Sequence, residues 1–275
     1  MYGTEGEIIF SDTQVGALRM TIASLVLLPF ALRSIRKINS VRQLLMLLLV
    51  GFCGNFFPAF LFTFSETGIS SGFAGMLNSF TPIFALIIGV VIFKQRMTAI
   101  QSIGVLVGTT GVTLLMLAGK DISLMGSWYH ILAVVLATFC YAISLNTIKY
   151  TLDGFRSFDI TALAFGVIFI PSILLAVSTG SFETIAEHPH SLNGLFYLGI
   201  LSVVGTAFAV ALFTKLVAMS SVIFASSVTY LIPIVAVMIG LYFGEKISIG
   251  QVLSMLLVLG GVFIANAKFS FSLKK

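Results

Sequence analysis

Residues 71–93 read SGFAGMLNSFTPIFALIIGVVIF, twenty-three positions without one charge. An α-helix needs only ~20 apolar residues to cross a bilayer core. Pro82 stands near the middle of the run. A mid-helix proline removes one hydrogen bond and frees the carbonyl four residues back, here that of Asn78. Such a break is tolerated in a membrane only where protein or a wet cavity satisfies the freed group. Residues 222–243, VIFASSVTYLIPIVAVMIGLYF, repeat the pattern, with Pro233 in the middle and Thr229 four residues before it.

The likeness extends on both sides. At an offset of 151, Gly54 falls on Gly205, Phe62 on Phe213, Ala74 on Ala225, Pro82 on Pro233 and Gly89 on Gly240. At an offset of 150, Phe93 falls on Phe243, Gln101 on Gln251 and Gly111 on Gly261. Matched prolines, glycines and glutamines in one nearly constant frame indicate an internal duplication, which governs any reading of the fold.

Only 9% of the 275 residues are charged and mean hydropathy is +1.11, against about 25% charged in soluble domains. Barrel strands alternate in polarity; these runs are apolar all round. The reading is therefore an all-α polytopic membrane protein. Nine spans are expected, at 15–33, 42–64, 71–93, 99–118, 127–147, 159–178, 192–215, 221–243 and 248–267. A division at 119/120 leaves four spans in the first repeat (1–119) and five in the second (120–275). Two copies with an odd number of spans each lie antiparallel, the inverted-repeat plan of many secondary transporters. The span at 127–147 has no mate, so a further apolar segment upstream of Met1 is expected, with one flank of the first repeat left open.

The basic residues sort by side. Arg33, Arg36, Lys37, Arg42, Lys94, Arg96, Lys149, Arg156, Lys215, Lys268, Lys274 and Lys275 fall on one side, and Lys120 and Lys246 on the other. Such bias puts the richer side, and the C-terminus, in the cytoplasm of a cell (inner) membrane protein. The net charge of +5 thus sets orientation and is not a nucleic-acid signal.

Three stretches resemble EamA-type members of the drug/metabolite transporter superfamily. One is DTQVGALRMTIASLVLLPFAL, with its Leu18-Arg19 pair and Pro29. Another is the repeated small-residue helix ending in Thr81-Pro82 and Ile232-Pro233. The last is the turn GEKISIGQ at 244–251; its first-half partner, FKQRMTAIQ, has Gln95 where the family commonly has glutamate. The resemblance implies ten helices in two inverted five-helix repeats, with both termini cytoplasmic. It also implies export or exchange of small metabolites, amino-acid-like or drug-like, and no enzymatic activity.

Polar residues recur at matched positions: Asn55 with Thr206, Asn78 with Thr229 and Ser79 with Tyr230. A polar side chain in hydrocarbon must find a partner, either another helix or a solute. This set, with Tyr141 and Asn146 on the unpaired span, forms the candidate substrate-binding group. Arg19 and Glu66 are candidates for an ion-paired outer gate, and Pro82 and Pro233 for midplane kinks. Alanine at Asn78 or Tyr230 is expected to change transport affinity and spare folding. Cys53 and Cys140 read as small buried hydrophobes, and His188 and His190 lack a third metal ligand. No metal or cofactor is implied. The partners are a small solute and the bilayer; oligomeric state is left open. An enzyme would need acids, His or Cys brought together, and the ten acidic residues all lie in loops or at span edges. The alternatives to a transporter are a non-transporting membrane subunit or a lipid flippase.

Overall fold

The computed structural model describes residues 9–69, 71–96, 98–118, 128–232, 234–235, 238 and 248–266. Among them every regular element is helical. α1 is Asp12–Ser34, α2 Val41–Gly51, α3 Phe57–Ser65, α4 Ser71–Asn78, α5 Thr81–Val91, α6 Ala99–Ala118, α7 Trp128–Thr151 and α8 Ser157–Ser178. α9 is Ser181–Glu187, α10 Ser191–Ser202, α11 Ala209–Met219, α12 Val222–Ser227 and α13 Ile249–Asn266. Five stretches are long and apolar enough to cross a membrane: Asp12–Lys37, Val41–Ser65, Trp128–Thr151, Ser157–Ser178 and Ser191–Met219. The nine expected spans fall on these helices, 221–243 being described only in part. The expected boundary at 119/120 and Pro233 lie outside the described residues. The loop expected at 179–191 holds the short helix α9.

Polarity is arranged as a bilayer demands. Leu25, Leu106, Ile170, Phe196, Leu212 and Phe263 are exposed, whereas Ser24, Thr138, Ser172, Ser202 and Ser226 are fully buried. Most of these hydroxyls are satisfied within their own helix: Ser172 donates to the Ile168 carbonyl at 2.7 Å and Ser202 to that of Leu198 at 2.6 Å.

Repeat partners pack directly on one another, and they run antiparallel. α6 lies against α13. A methyl added to Gly104 would strike the backbone of Ala265, one on Gly111 would lie 2.7 Å from the Val258 nitrogen, and one on Gly261 would strike Gly108. Low numbers on one helix thus meet high numbers on the other. The run Gly104/Gly108/Gly111 removes the Cβ atoms that would hold the helices apart.

α1 and α8 form the second antiparallel pair, clamped at both ends. Ser11 caps α1 in a capping box with Gln14. The Gln14 amide also reaches across, donating to the Thr179 carbonyl at 2.9 Å and the Thr184 hydroxyl at 3.0 Å. At the other end Asp159 accepts from the Ser34 hydroxyl at 2.7 Å and from the Lys37 ammonium at 2.6 Å. An offset of 145 carries Gln14 onto Asp159 and Ser34 onto Thr179, so the two clamps are equivalent under the repeat. These antiparallel pairs are the inverted repeat seen directly.

The unpaired α7 crosses to the first repeat. Gly54 admits Ser144, the Phe62 and Tyr141 rings stand 6.1 Å apart, and the Asn146 amide donates to the Ala85 carbonyl at 3.0 Å. Among the described residues the equivalent face of the second repeat has no such cover: near Gly205 its own helix's Leu201 alone approaches, and Val204, Phe208 and Leu212 are exposed. The open flank therefore belongs to the second repeat. The expectation of an open first repeat missed this exchange, because hydropathy does not say which neighbour a helix covers.

Candidate functional site

The helix pairs surround a central cavity of about 600 Å³. Its walls come from α1, α2, α3, α5, α7, α8 and α11, from the break after α4, and from the two bulges described below. Arg19, Asn55, Glu66, Asn78, Tyr141, Thr206 and Thr229 all line it, together with Phe62, Ser144, Thr161, Phe213 and Ile232. A smaller hollow of about 350 Å³ lies between Ser40, Arg42, Tyr150 and Asp153. It touches neither proline helix and only the Lys37 end of the bundle.

Two matched bulges place the first polar pair. Phe52–Phe56 and Val203–Phe208 are single π-helical turns that join α2 to α3 and α10 to α11. Such turns interrupt the i→i−4 ladder, frequently at functional sites. In each, a polar side chain covers the carbonyl five residues back. The Asn55 amide reaches the Val50 carbonyl at 3.4 Å, and the Thr206 hydroxyl donates to that of Leu201 at 3.1 Å. The offset of 151 relates these contacts position for position, an amide in one repeat and a hydroxyl in the other. The bulges themselves were not expected from sequence. Their available signal was a Gly-polar pair, Gly54-Asn55 and Gly205-Thr206, recurring inside apolar spans.

The proline segments supply the second pair. Pro82 was expected as a kink inside a continuous helix. Instead the helix stops at Asn78 and restarts at Thr81, with Pro82 in the first turn of α5. Proline is favoured there because that amide would be unpaired anyway. The freed Asn78 carbonyl takes the Thr81 hydroxyl at 2.7 Å. In the other repeat Val228–Tyr230 tightens to a 3-10 turn. The Thr229 carbonyl accepts from the Ser79 hydroxyl at 3.4 Å, so one repeat covers the broken backbone of the other.

Three of the expected binding residues stand outside the cavity wall. Ser79 is spent on that cross-repeat bond. Tyr230 is fully buried; its hydroxyl donates to the Val105 carbonyl at 3.2 Å and lies 3.1 Å from the Thr109 hydroxyl, with its ring over Gly108. Alanine at Tyr230 would therefore remove packing between α6 and the second repeat rather than a solute contact. Asn146 is fully buried and fastens α7 to α5 and to its own Ala142 carbonyl.

The expected gate also changes. Arg19 and Glu66 share the cavity, yet among the described residues the ion pair is Lys37–Asp159. Arg19 instead donates through Nε to the Thr206 hydroxyl at 2.7 Å. It reaches across the repeat axis from α1 to the opposite bulge, which leaves the Nη atoms of its planar fork without a hydrogen bond among the described residues. Glu66, exposed at the end of α3, marks where the cavity meets the surface. At the Lys37 end, one buried cluster joins both repeats through Leu47, Ile88, Leu152, Leu163, Val217 and Val222. Val50, Leu145, Ile148 and Ala164 of that cluster also form part of the cavity wall. At the Glu66 end the buried residues fall into separate clusters, around Leu18 and Leu198 and around Val134 and Val258.

A family model described as the EamA-like transporter family matches residues 7–117 and 128–267. The chain is similar to the uncharacterized transporter YdfC of Bacillus subtilis, 26% identical over 265 residues, covering 94% of this chain and 80% of that protein. It is similar to the uncharacterized inner membrane transporter YedA of Escherichia coli, also at 26% over 265 residues, covering 94% and 83%. A third relative is GDP-fucose transporter 1 of Dictyostelium discoideum, 25% identical over 215 residues, covering 75% and 56%. One solved crystal structure shares the fold at a TM-score of 0.65, with 16% identity over 92% of this chain and 86% of the other.

Proposed function

The chain belongs to the EamA-like transporter family, and we propose that it carries small amphipathic metabolites through the central cavity by alternating access. The observation that carries this reading is the cavity itself. It lies on the axis between inverted repeats, where secondary transporters hold their solutes. A largely apolar wall with a few convergent polar groups suits a small molecule with an apolar body.

Arg19 narrows the class. Its guanidinium is oriented by Thr206 and presents donors in the planar fork that fits a carboxylate or phosphate. Glu66 stands at the mouth, where a cationic end of a zwitterion would meet it. Small solutes with one anionic group on an apolar or aromatic frame fit best. The bias of basic residues orients the chain with its C-terminus in the cytoplasm. On that orientation the Lys37 end is the inner one and the Glu66 mouth the outer one.

Flux measured on the purified chain in liposomes, over a panel of aromatic and aliphatic carboxylates and lipophilic cations, tests the reading. Saturable flux that favours the carboxylates is expected. No saturable flux with any member of the panel would favour a non-transporting subunit.

A further inference from the structure

The smaller hollow, of about 350 Å³, lies between the start of α2 and the end of α7. Its volume falls in the range of small-molecule pockets, about 300–1,000 Å³. Local contacts shape both walls. Ser40 caps α2, its hydroxyl accepting from the Gln43 backbone amide at 3.2 Å, while the Gln43 side-chain oxygen accepts from the Asn39 amide at 2.8 Å. Opposite, the Tyr150 ring stands 5.8 Å from that of Phe93, and fully buried Leu152 anchors the turn that carries Asp153.

The polar groups left over carry both signs. Arg42 and Asp153 line this one hollow, yet among the described residues neither makes a hydrogen bond or an ion pair; the ion pair at this end is Lys37–Asp159. The Gln43 amide nitrogen and the Tyr150 hydroxyl, also in the wall, have no hydrogen bond among the described residues either. Held apart in one cavity, a cation and a carboxylate fit the two ends of a zwitterion.

We infer that this hollow binds the headgroup of an ethanolamine phospholipid, its phosphate on Arg42 and its ammonium on Asp153. A guanidinium meets phosphate oxygens through two parallel N–H donors, and a primary ammonium has three N–H donors for a carboxylate. Gln43 and Tyr150 add donors for the remaining phosphate oxygens. A choline headgroup carries the same charges but has no N–H for Asp153. A glycerol headgroup brings the phosphate without a cation and sets an anion against Asp153. The hollow lies at the Lys37 end, where most of the basic residues gather, and basic side chains at a membrane surface are drawn to its phosphate layer. Further into the membrane, Leu44 and Leu45 on α2 and Leu136 and Phe139 on α7 are exposed, an apolar surface for the acyl chains.

Native mass spectrometry of the purified, delipidated chain tests the site. It is given ethanolamine, choline and glycerol phospholipids with identical acyl chains. One ethanolamine lipid per chain should be retained several-fold more than either of the others. Asp153→Asn should reverse the order in favour of the glycerol lipid, and Arg42→Ala should weaken retention of all three. Both side chains are exposed and unbonded among the described residues, so the variants should melt like the parent without lipid. Added ethanolamine lipid should raise the melting temperature of the parent, as a ligand of the folded state does, and not that of Arg42→Ala. Equal retention of the three lipids by the parent would overturn the site, whether or not the variants fold. So would an unchanged lipid order in folded Asp153→Asn. Glycerophosphoethanolamine, the same headgroup without acyl chains, should leave the lipid in place at equal concentration; displacement would overturn a lipid site in favour of a soluble phosphate ester. None of these readouts needs transport, so failure here is distinguishable from failure of the transporter reading.

Discussion

Alanine in place of Arg19 should lower transport of anionic solutes by roughly 10–100-fold while leaving the protein folded. A hydrogen bond to a charged group is worth about 1.5–3 kcal/mol, and each 1.4 kcal/mol is about tenfold. Folding should survive because the one hydrogen bond Arg19 makes among the described residues is the 2.7 Å contact to Thr206. Thr206 retains its bond to the Leu201 carbonyl at 3.1 Å, so no buried hydroxyl is orphaned. Arg19→Lys keeps the charge and loses the fork, and should recover only part of the flux. Saturable uptake, with melting temperature as the control for folding, reads both variants. A folded Arg19→Ala protein with parental uptake would place the solute elsewhere.

The second large effect concerns stability. Gly261→Ala should lower the melting temperature by several degrees, whereas Gly260→Ala should leave it unchanged or raise it. A methyl on Gly261 would strike the Gly108 nitrogen and lie 2.5 Å from its Cα and 2.8 Å from the Gly104 carbonyl oxygen. All three atoms are backbone, so no side chain can rotate away and α6 must separate from α13. Overpacking costs about 1–3 kcal/mol, occasionally more, and about 2–4 °C is lost per kcal/mol in a chain near this size. Around Gly260 nothing among the described residues lies within 4 Å, and alanine is the better helix former by about 1 kcal/mol. Thermal unfolding of the two variants in one detergent makes the comparison. Equal melting temperatures would mean that the α6–α13 seam does not hold the bundle together.

These effects trace what was legible in the chain. The offsets of 150 and 151 carried the antiparallel pairing, because a duplicated unit with an odd number of spans has to invert. The series Gly104/Gly108/Gly111 gave the close seam, since only small residues let helices touch. Hydropathy could not say which face of a polar-bearing helix meets a cavity and which meets another helix. Asn78 and Tyr230 occupy neighbouring repeat positions, yet Asn78 lines the cavity and Tyr230 is fully buried against α6. That difference depends on α6, more than a hundred residues distant in sequence. Asn146 was obscure for the same reason, its partner being the Ala85 carbonyl. Pro82 was expected as a kink within one helix and stands in the first turn of α5, because a missing amide looks alike in the middle of one helix and at the start of the next. The bulges left only the faint trace of Gly54-Asn55 and Gly205-Thr206.

The central claim is that the cavity between the inverted repeats is the solute path. Ala209 opens α11, lines the cavity and is itself a member of neither the α1–α8 clamps nor the α6–α13 seam. Ala209→Trp would fill much of the space beside Thr206 and leave those supports intact. Counterflow of a transported carboxylate into liposomes, parent against Ala209→Trp at matched protein and melting temperature, is the most direct measurement. Saturable counterflow in the parent and little or none in the variant is the result predicted here. Equal saturable counterflow in both folded proteins would contradict a path through this cavity.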